Sequence, residues 1–241
     1  MSLVQQPLLQ YQDGKWRIAP WIISHFPEHK CYVEPFGGGA SVLLRKTPSK
    51  VEVYNDINGD VVNLFRVLRE HPEELFRLIQ LTPYSRSELA LSEKRSLLKI
   101  ENARRTLFRY RASVDPDRDN QETSFRHSCV SAKGPYWKSF IDNSLPQIIA
   151  RLRMVQIECR DVEWVIKAYD SKETLYYIDP PYDTATRNSV TYMKEFSFQQ
   201  MESLGELLQH VKGFVVVSGY FSEAWDRIFN NFKRTEKVTI D

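Results

Sequence analysis

Cys31-Tyr32-Val33-Glu34-Pro35-Phe36-Gly37-Gly38-Gly39-Ala40-Ser41-Val42-Leu43-Leu44 is the stretch whose reading decides the fold. It begins as a short apolar strand, passes through three consecutive glycines, and resumes apolar content in a helical setting. Without Cβ atoms a backbone can approach a ligand closely, so strand, glycine run and helix in this order suit a nucleotide-binding loop. The run is not G-x-G-x-x-G, and no Gly-Lys-Ser/Thr follows to make it a Walker loop. A plain flexible turn is the competing reading. The next element weighs against it. Val51-Glu52-Val53-Tyr54 alternates as a strand and ends in Asn55-Asp56-Ile57-Asn58. Asp56 stands 18 residues after Gly38, near the ~20-residue spacing at which an acid closing the second strand accepts from ribose hydroxyls. Asp56 would also serve as N-cap of the helix carrying Val61, Val62, Leu64, Phe65 and Leu68, with Asn58 as the rival cap.

Farther along, Thr174-Leu175-Tyr176-Tyr177-Ile178 reads as a buried strand and runs straight into Asp179-Pro180-Pro181-Tyr182. Each proline fixes its own φ and pushes the residue before it into an extended conformation. Asp179 and Pro180 are therefore held stiffly at the carboxyl end of a strand, where open α/β sheets bind ligands. A carboxylate, a main-chain carbonyl outside any helix and an aromatic ring converge there. That set suits a planar substrate bearing an amino group. An edge-strand exit followed by a turn is the bland alternative.

Composition narrows the class. The 241 residues are 42% hydrophobic and 27% charged, as expected of a globular protein with a real core. No apolar run approaches the roughly 20 residues of a membrane span. The N-terminal residues lack the pattern of a signal peptide. Cys31, Cys129 and Cys159 are scattered and odd in number, which favours buried thiols in a reducing compartment over disulfides or a zinc site. A net charge of +2 identifies no partner by itself.

Between Glu70 and Pro146 the strand-helix alternation stops, and Leu75, Leu78, Ile79, Leu97, Leu98 and Ile100 suggest helices. From Arg104 to Lys138 eight Lys/Arg stand against four acids, with Phe108, Tyr110, Phe125, Tyr136 and Trp137 interleaved. Basic and aromatic residues on a loop-rich segment fit a surface that tracks phosphates, although such runs are usually a solvated face. The alternation then returns. Leu145, Ile148, Ile149, Leu152 and Met154 make a core stripe, and Val155 to Cys159 a half-buried strand. Asp161 leads into another helix. Ser197-x-x-Gln200 is a capping box, opening a helix that Gly213 is expected to end. Phe214 to Tyr220 is a further strand, Trp225 to Phe229 a short helix, and Val238-Thr239-Ile240 a last strand.

Gly14-Lys15-Trp16, Glu34-Pro35-Phe36-Gly37-Gly38-Gly39-Ala40, Asn55-Asp56-Ile57-Asn58 and Asp179-Pro180-Pro181-Tyr182, in this order, resemble the motifs of the Dam-type DNA adenine-N6 methyltransferases. Ser218-Gly219-Tyr220 also fits. The likeness covers the chain except its middle segment, where only placement and basic, aromatic character match. It implies an α/β, Rossmann-like S-adenosylmethionine-dependent methyltransferase fold with a mainly helical target-recognition insert. Residues 1–69 and 147–241 would form a discontinuous catalytic domain, and residues 70–146 the DNA-binding insert.

By the same resemblance S-adenosylmethionine is the methyl donor, and neither a metal nor a covalent enzyme intermediate is needed. Lys15 is expected near the donor's carboxylate, with Trp16 beside it. Phe36, Gly37, Gly38 and Gly39 would lie along its methionine portion, with Glu34 and Pro35 among the donor-binding residues, Asp56 at its ribose, Asp161 and Val162 at its adenine, and Asp179 close by. The family commonly has phenylalanine where Val162 stands, and usually continues past the point where this sequence ends at Asp241. Asp179 and the Pro180 carbonyl would grip the amino group of an adenine flipped out of the duplex, with Tyr182 stacked on the base. Arg109, Arg111 and Arg126 are the candidate DNA contacts. The expected partner is double-stranded DNA, with room for a restriction endonuclease of the same system. A monomeric, cytoplasmic, bacterial or phage protein with no membrane association is the corresponding expectation.

Two rival classes stand beside this one. A methyltransferase of another amine (cytosine N4, RNA adenine or a glutamine amide) would use a similar Pro-Pro-aromatic site, and the basic, aromatic segment argues for nucleic acid. A non-catalytic DNA-binding relative would not need the complete glycine and Asp-Pro-Pro-Tyr motifs. A zinc base deaminase is excluded, since no H-x-E is followed by P-C-x-x-C.

Overall fold

The apolar runs on either side of the glycine loop pair edge to edge in one parallel sheet. The structure is a computed structural model that describes residues 4–11, 14–114, 116, 124–127, 133–181, 197–220 and 222–237. Strands β1 (Cys31–Glu34), β2 (Val51–Asn55), β3 (Val155–Glu158), β4 (Thr174–Ile178) and β5 (Phe214–Val217) lie in the order β3-β2-β1-β4-β5. All four pairings are parallel, with Val33 opposite Val53 on one side and Tyr176 on the other. The chain builds outward from β1 to β2 and β3, then returns to lay β4 on the far side of β1. The winding reverses between β1 and β4. At such a switch point the loops leaving the two strands diverge and open a crevice.

Side-chain alternation sends neighbouring residues to opposite faces. Tyr32, Tyr54, Leu175 and Tyr177 join the larger core, whereas Val33, Val53, Tyr176 and Ile178 join the smaller one. The larger core is covered by α1 (Ala19–Ile23), α2 (Ser41–Arg45), α3 (Gly59–Glu70), α4 (Pro72–Gln80), α5 (Arg86–Ser92), α6 (Lys99–Ala112), α7 (Lys133–Ser139) and α8 (Leu145–Leu152), a π-helical turn at Phe140–Ser144 joining the last two. The smaller core lies under α9 (Val162–Ala168), α10 (Phe198–Gln209) and α11 (Glu223–Ile228).

The middle segment is helical, and α6 packs along α3 so that Leu107 and Phe108 share a core with Leu64 and Phe65. Packing therefore marks no division at residue 70. After α6 the chain begins an antiparallel pairing: Val114 N donates to Ser124 O at 2.9 Å and Arg126 N to Ala112 O at 2.7 Å.

Several details differ from the sequence pattern. α8 stops at Leu152, which leaves Met154 outside the helix and 84% exposed rather than in the core. Leu97 and Leu98 precede α6 and are exposed. α10 has the expected capping box of Ser197 and Gln200 but ends at Gln209, ahead of Gly213. A Cβ on Gly213 would stand 2.6 Å from the Thr174 carbonyl oxygen, so that glycine serves close chain passage beside β4 instead. Cys31 and Cys159 are free thiols. Among the described residues no helix is long and apolar enough to cross a membrane. Tyr182, Cys129 and the expected strand at Val238–Ile240 lie outside the described residues.

Candidate active site

The glycine loop leaves β1 directly beside the switch point, and its shape is set by Tyr54 beneath it. A Cβ on Gly37 would stand 2.1 Å from the Tyr54 ring, which is itself buried and stacked on Phe65. The Tyr54 hydroxyl donates to Gly38 O at 2.8 Å. Gly38 has φ 47° and Ala40 φ 52°, a left-handed conformation that an alanine seldom adopts. Backbone strain held in place by its surroundings is a common mark of a functional loop.

Asp56 closes the other side of this loop. Gly38 N donates to its Oδ2 and Asn58 N to its Oδ1, each at 2.7 Å. Burial raises its pKa, while the amides of Asn58, Gly38 and Ile57 pull the other way. Helix α3 takes its cap from Asn58, whose side chain accepts from Asp60 N and Val61 N. The rivalry between the two residues is therefore resolved by division of labour: Asn58 caps, and Asp56 ties the second strand's exit to the glycine loop. A carboxylate has about four acceptor positions, so these three amides leave capacity for a hydroxyl donor.

Glu34 ends β1 at 2% exposure. Its Oε2 accepts from the Tyr32 hydroxyl and from Leu43 N, both at 3.1 Å. Burial pushes its pKa up to about 8, with the negative charge of Asp179 adding to the rise. Glu34 is accordingly a neutral acid at pH 7. It fixes α2 behind the glycine loop.

Asp179 follows β4 and faces this loop across the switch point. Its Oδ1 accepts from Lys15 Nζ at 2.9 Å and from Ser218 Oγ at 2.9 Å. The structure thus gives Lys15 a partner the sequence did not suggest. The lysine is held from both sides: Lys15 O accepts from Ala19 N at 2.7 Å, and Trp16 O accepts from Arg45 Nη1 at 2.6 Å, with the Arg45 guanidinium over the Trp16 ring. Pro180 is buried and Pro181 half-buried.

Asn55 is a connector that the sequence reading passed over. Its Nδ2 donates to Pro35 O at 2.9 Å and to Arg160 O at 3.1 Å, and its Oδ1 accepts from Arg160 N at 2.9 Å. One side chain therefore ties the exits of β1, β2 and β3 together. Its place immediately before Asp56 was the available signal. Asp161 caps α9 by accepting from Glu163 N at 2.8 Å, and Val162 packs into the smaller core. Phe36 packs there as well.

The three arginines named from the sequence have different surroundings. Arg111 is 4% exposed; it donates to Pro7 O at 2.8 Å and Gln6 Oε1 at 3.1 Å, and its guanidinium lies 3.5 Å from the Phe140 ring centre. Burial lowers its pKa to about 10, so it remains charged at neutral pH. It holds the N-terminal segment, and a phosphate contact would first require breaking that anchor. Arg126 donates to Gln10 Oε1 at 2.9 Å and to Ser113 O, bracing the antiparallel pairing. Arg109 makes no hydrogen bond or ion pair with the described residues, and its Nε is buried without a partner. Arg111, Arg126 and Lys133, with Gln10, Tyr84, Tyr136 and Trp137, line a small pocket of about 40 Å³ with no acid among these lining residues.

A parallel sheet with a glycine loop, an acid after the second strand and an Asp-Pro-Pro at the switch point defines a Rossmann-like methyltransferase. The family model described as D12 class N6 adenine-specific DNA methyltransferase matches residues 11–240, and the chain belongs to that family. Among relatives, it is 25% identical to the type II methyltransferase M1.LlaDCHI of Lactococcus lactis subsp. cremoris, across 96% of this chain and 89% of that protein. It is 26% identical to the DNA adenine methylase of Salmonella typhi, across 84% of this chain and 75% of the other. The type II methyltransferase M.MjaIII of Methanocaldococcus jannaschii is 26% identical across 76% of this chain and 71% of its own length. The protein is a DNA adenine-N6 methyltransferase, and membership in this family implies S-adenosylmethionine as methyl donor. The residues present suit that group: a glycine loop packed on Tyr54 and Tyr11 that puts no side chain in a ligand's way, and a half-buried carboxylate beside it with acceptor capacity remaining.

Proposed function

We propose that this chain methylates the exocyclic nitrogen of an adenine turned out of a DNA duplex, with Asp179 and the Pro180 carbonyl accepting from that amino group. The observation that carries the reading is Asp179 itself: a carboxylate at the end of β4, at the switch point, anchored by Lys15 and Ser218 opposite the glycine loop. The adenine amine is a poor nucleophile because its lone pair is delocalised into the ring. Two acceptors on that amine favour a localised lone pair and stabilise the positive charge that develops on nitrogen. S-adenosylmethionine supplies a methyl group on a sulfonium and departs as a neutral thioether. The remaining work of the protein is orientation of the reacting atoms.

Phe36, Gly37, Gly38 and Gly39 would hold the donor's methionine portion with Glu34 and Pro35 behind them, and Asp56 its ribose. Asp161 and Val162 would meet its adenine, and Lys15, with Trp16 alongside, would stand between Asp179 and its carboxylate. Tyr182 would stack on the extruded base. Residues 1–69 and 147–241 form the catalytic part in this reading, and residues 70–146 the part that meets DNA. Arg109 is the strongest of the DNA-contact candidates because, among the described residues, its guanidinium has no ion-pair partner and its Nε no acceptor. Arg126 and Lys133, on the acid-free pocket, come next, and Arg111 last. A monomer acting on double-stranded DNA, alone or beside a restriction endonuclease, is consistent with this assignment.

The test is transfer of tritiated methyl groups to DNA copied in vitro and therefore unmethylated, followed by sequencing for modified adenines. The wild-type protein should label adenine, and Asp179→Ala should lose activity by at least about 10²- to 10³-fold while S-adenosylmethionine binding largely persists. Turnover of that variant within tenfold of wild type would remove Asp179 from the chemistry.

A further inference from the structure

Asp179 does not hold its carboxylate alone. Ser218 continues the β5 ladder by donating its amide to Ile178 O at 2.9 Å, which places its hydroxyl 2.9 Å from Asp179 Oδ1. The same hydroxyl lies 2.8 Å from the hydroxyl of Tyr177. Tyr177 is 1% exposed and stands two residues before Asp179 on β4, so strand alternation directs both side chains to the same face.

Proton counting gives this chain a direction. A carboxylate only accepts, so the single hydroxyl proton of Ser218 goes to Asp179. The contact between Tyr177 and Ser218 then has only the tyrosine proton to use, and Tyr177 donates to Ser218 Oγ. Burial holds the Tyr177 phenol well above its ordinary pKa, with the Asp179 charge adding to the rise, so the proton stays on that oxygen. Lys15 approaches Oδ1 as well, so a cation and a directed hydroxyl chain converge on one carboxylate oxygen and restrain its rotation.

From this geometry we infer that Ser218, oriented by Tyr177, is a positioning residue for methyl transfer: it sets the plane in which the Asp179 carboxylate receives the adenine amino group. Neither residue touches the substrate. Their effect passes entirely through Asp179, and the inference therefore rests on the assignment of Asp179 to the amino group. A carboxylate free to rotate would still attract the amine, but it would spend less time in the orientation that aims the nitrogen lone pair. The loss should therefore fall on the rate of the chemical step and not on binding.

The experiment is single-turnover methylation of in-vitro-copied DNA, with protein and S-adenosylmethionine in excess, for Ser218→Ala, Ser218→Thr, Tyr177→Phe and the Tyr177→Phe/Ser218→Ala pair, alongside Asp179→Ala. Removing a hydrogen bond to a charged group should slow Ser218→Ala by about 10- to 100-fold. Dissociation constants for S-adenosylmethionine and DNA should stay within about threefold of wild type. Ser218→Thr, which keeps the hydroxyl, should recover most of the rate. Tyr177→Phe should lose less than Ser218→Ala and nothing further in its background, since a residue acting through another shows complete non-additivity. A wild-type rate for Ser218→Ala, a loss confined to binding, or a Tyr177→Phe loss repeated in full in the double variant would each overturn the inference. If Ser218→Ala does not fold, Tyr177→Phe and Ser218→Thr decide: the first must slow the chemical step and the second must not. Full activity of Asp179→Ala would instead remove the reading on which the inference stands, and the two failures are thus distinguishable.

Discussion

Along the carboxyl edge of the sheet, Asp56 and Asp179 are held by donors from strand exits and loops at a crevice where the chain winding reverses. The helical segment carries nine arginines between residues 70 and 146, and several are locked into the protein. Arg104 pairs with Glu88 and Glu101, Arg111 grips the N-terminal segment, and Arg126 braces an antiparallel pairing. Both regions hold charge in place, but they do so for different ends. At the sheet edge the anchoring fixes each carboxylate just past the end of its strand. On the helices it stitches the chain together.

The sharpest way to break that contrast is Arg111→Ala. Loss of the guanidinium leaves the carbonyls of Pro7 and Leu8 without their donor, in a buried place, and opens a void against Phe140. Relief of the buried charge offsets part of the cost, and the net loss of stability should be about 2–4 kcal/mol. Urea unfolding of the variant measures it directly. A loss under about 0.5 kcal/mol, together with weaker DNA binding, would show that Arg111 belongs with the contact residues after all.

Glu34 sharpens the other side of the comparison. Its pKa in the folded protein is about 8, raised chiefly by burial from an ordinary value of 4.5. The folded state therefore binds a proton that the unfolded chain has released across the interval from about pH 4.5 to 8. Stability from this group is complete below the unfolded value and declines as pH rises through the folded one. Within the interval the slope should approach about 1.4 kcal/mol per pH unit. Glu34→Gln keeps the shape and cannot ionise, so the difference in stability between wild type and variant should swing toward the variant as pH rises from 5 to 8. Parallel urea curves with a constant gap at every pH would mean that Glu34 is ionised throughout.

The sheet edge was legible because local rules dictate it. Three glycines after a strand, an acid closing the next strand, and two prolines behind Asp179 each restrict the backbone on their own, so their positions follow from neighbours in sequence. The links between these pieces were not legible. Ser218, Tyr177, Asn55 and Tyr54 act across strands, and parallel register brings them together at sequence separations such as 41 and 105 residues. The anchoring of Arg111 was hidden for a related reason. Helix α6 is wrapped on most of its circumference by α3, α4 and α5, and a count of basic residues does not say which side each one faces. Asp161, standing directly before its helix, accepts the bond of a cap; a role at the donor's adenine would be in addition.

Arg109 puts the contrast to its finest test, because it lies two residues from Arg111 on the same helix and has the opposite surroundings. Its Nε is buried without a partner, and its nearest aromatic contact is the Tyr110 ring at 5.7 Å. An unpaired buried donor is costly unless something arrives to accept from it, and a DNA phosphate is an acceptor of the right charge. Arg109→Gln should therefore leave stability within about 0.5 kcal/mol of wild type. In DNA-binding titrations between 50 and 200 mM salt, the slope of log affinity against log salt should shrink by about one unit, the value of one neutralised phosphate. The effect is the smallest argued here, and it is also the most specific. A slope unchanged in Arg109→Gln but reduced in Arg126→Gln would move the phosphate contact to the acid-free pocket beside Tyr136, and the helix would then carry structural arginines alone at these positions.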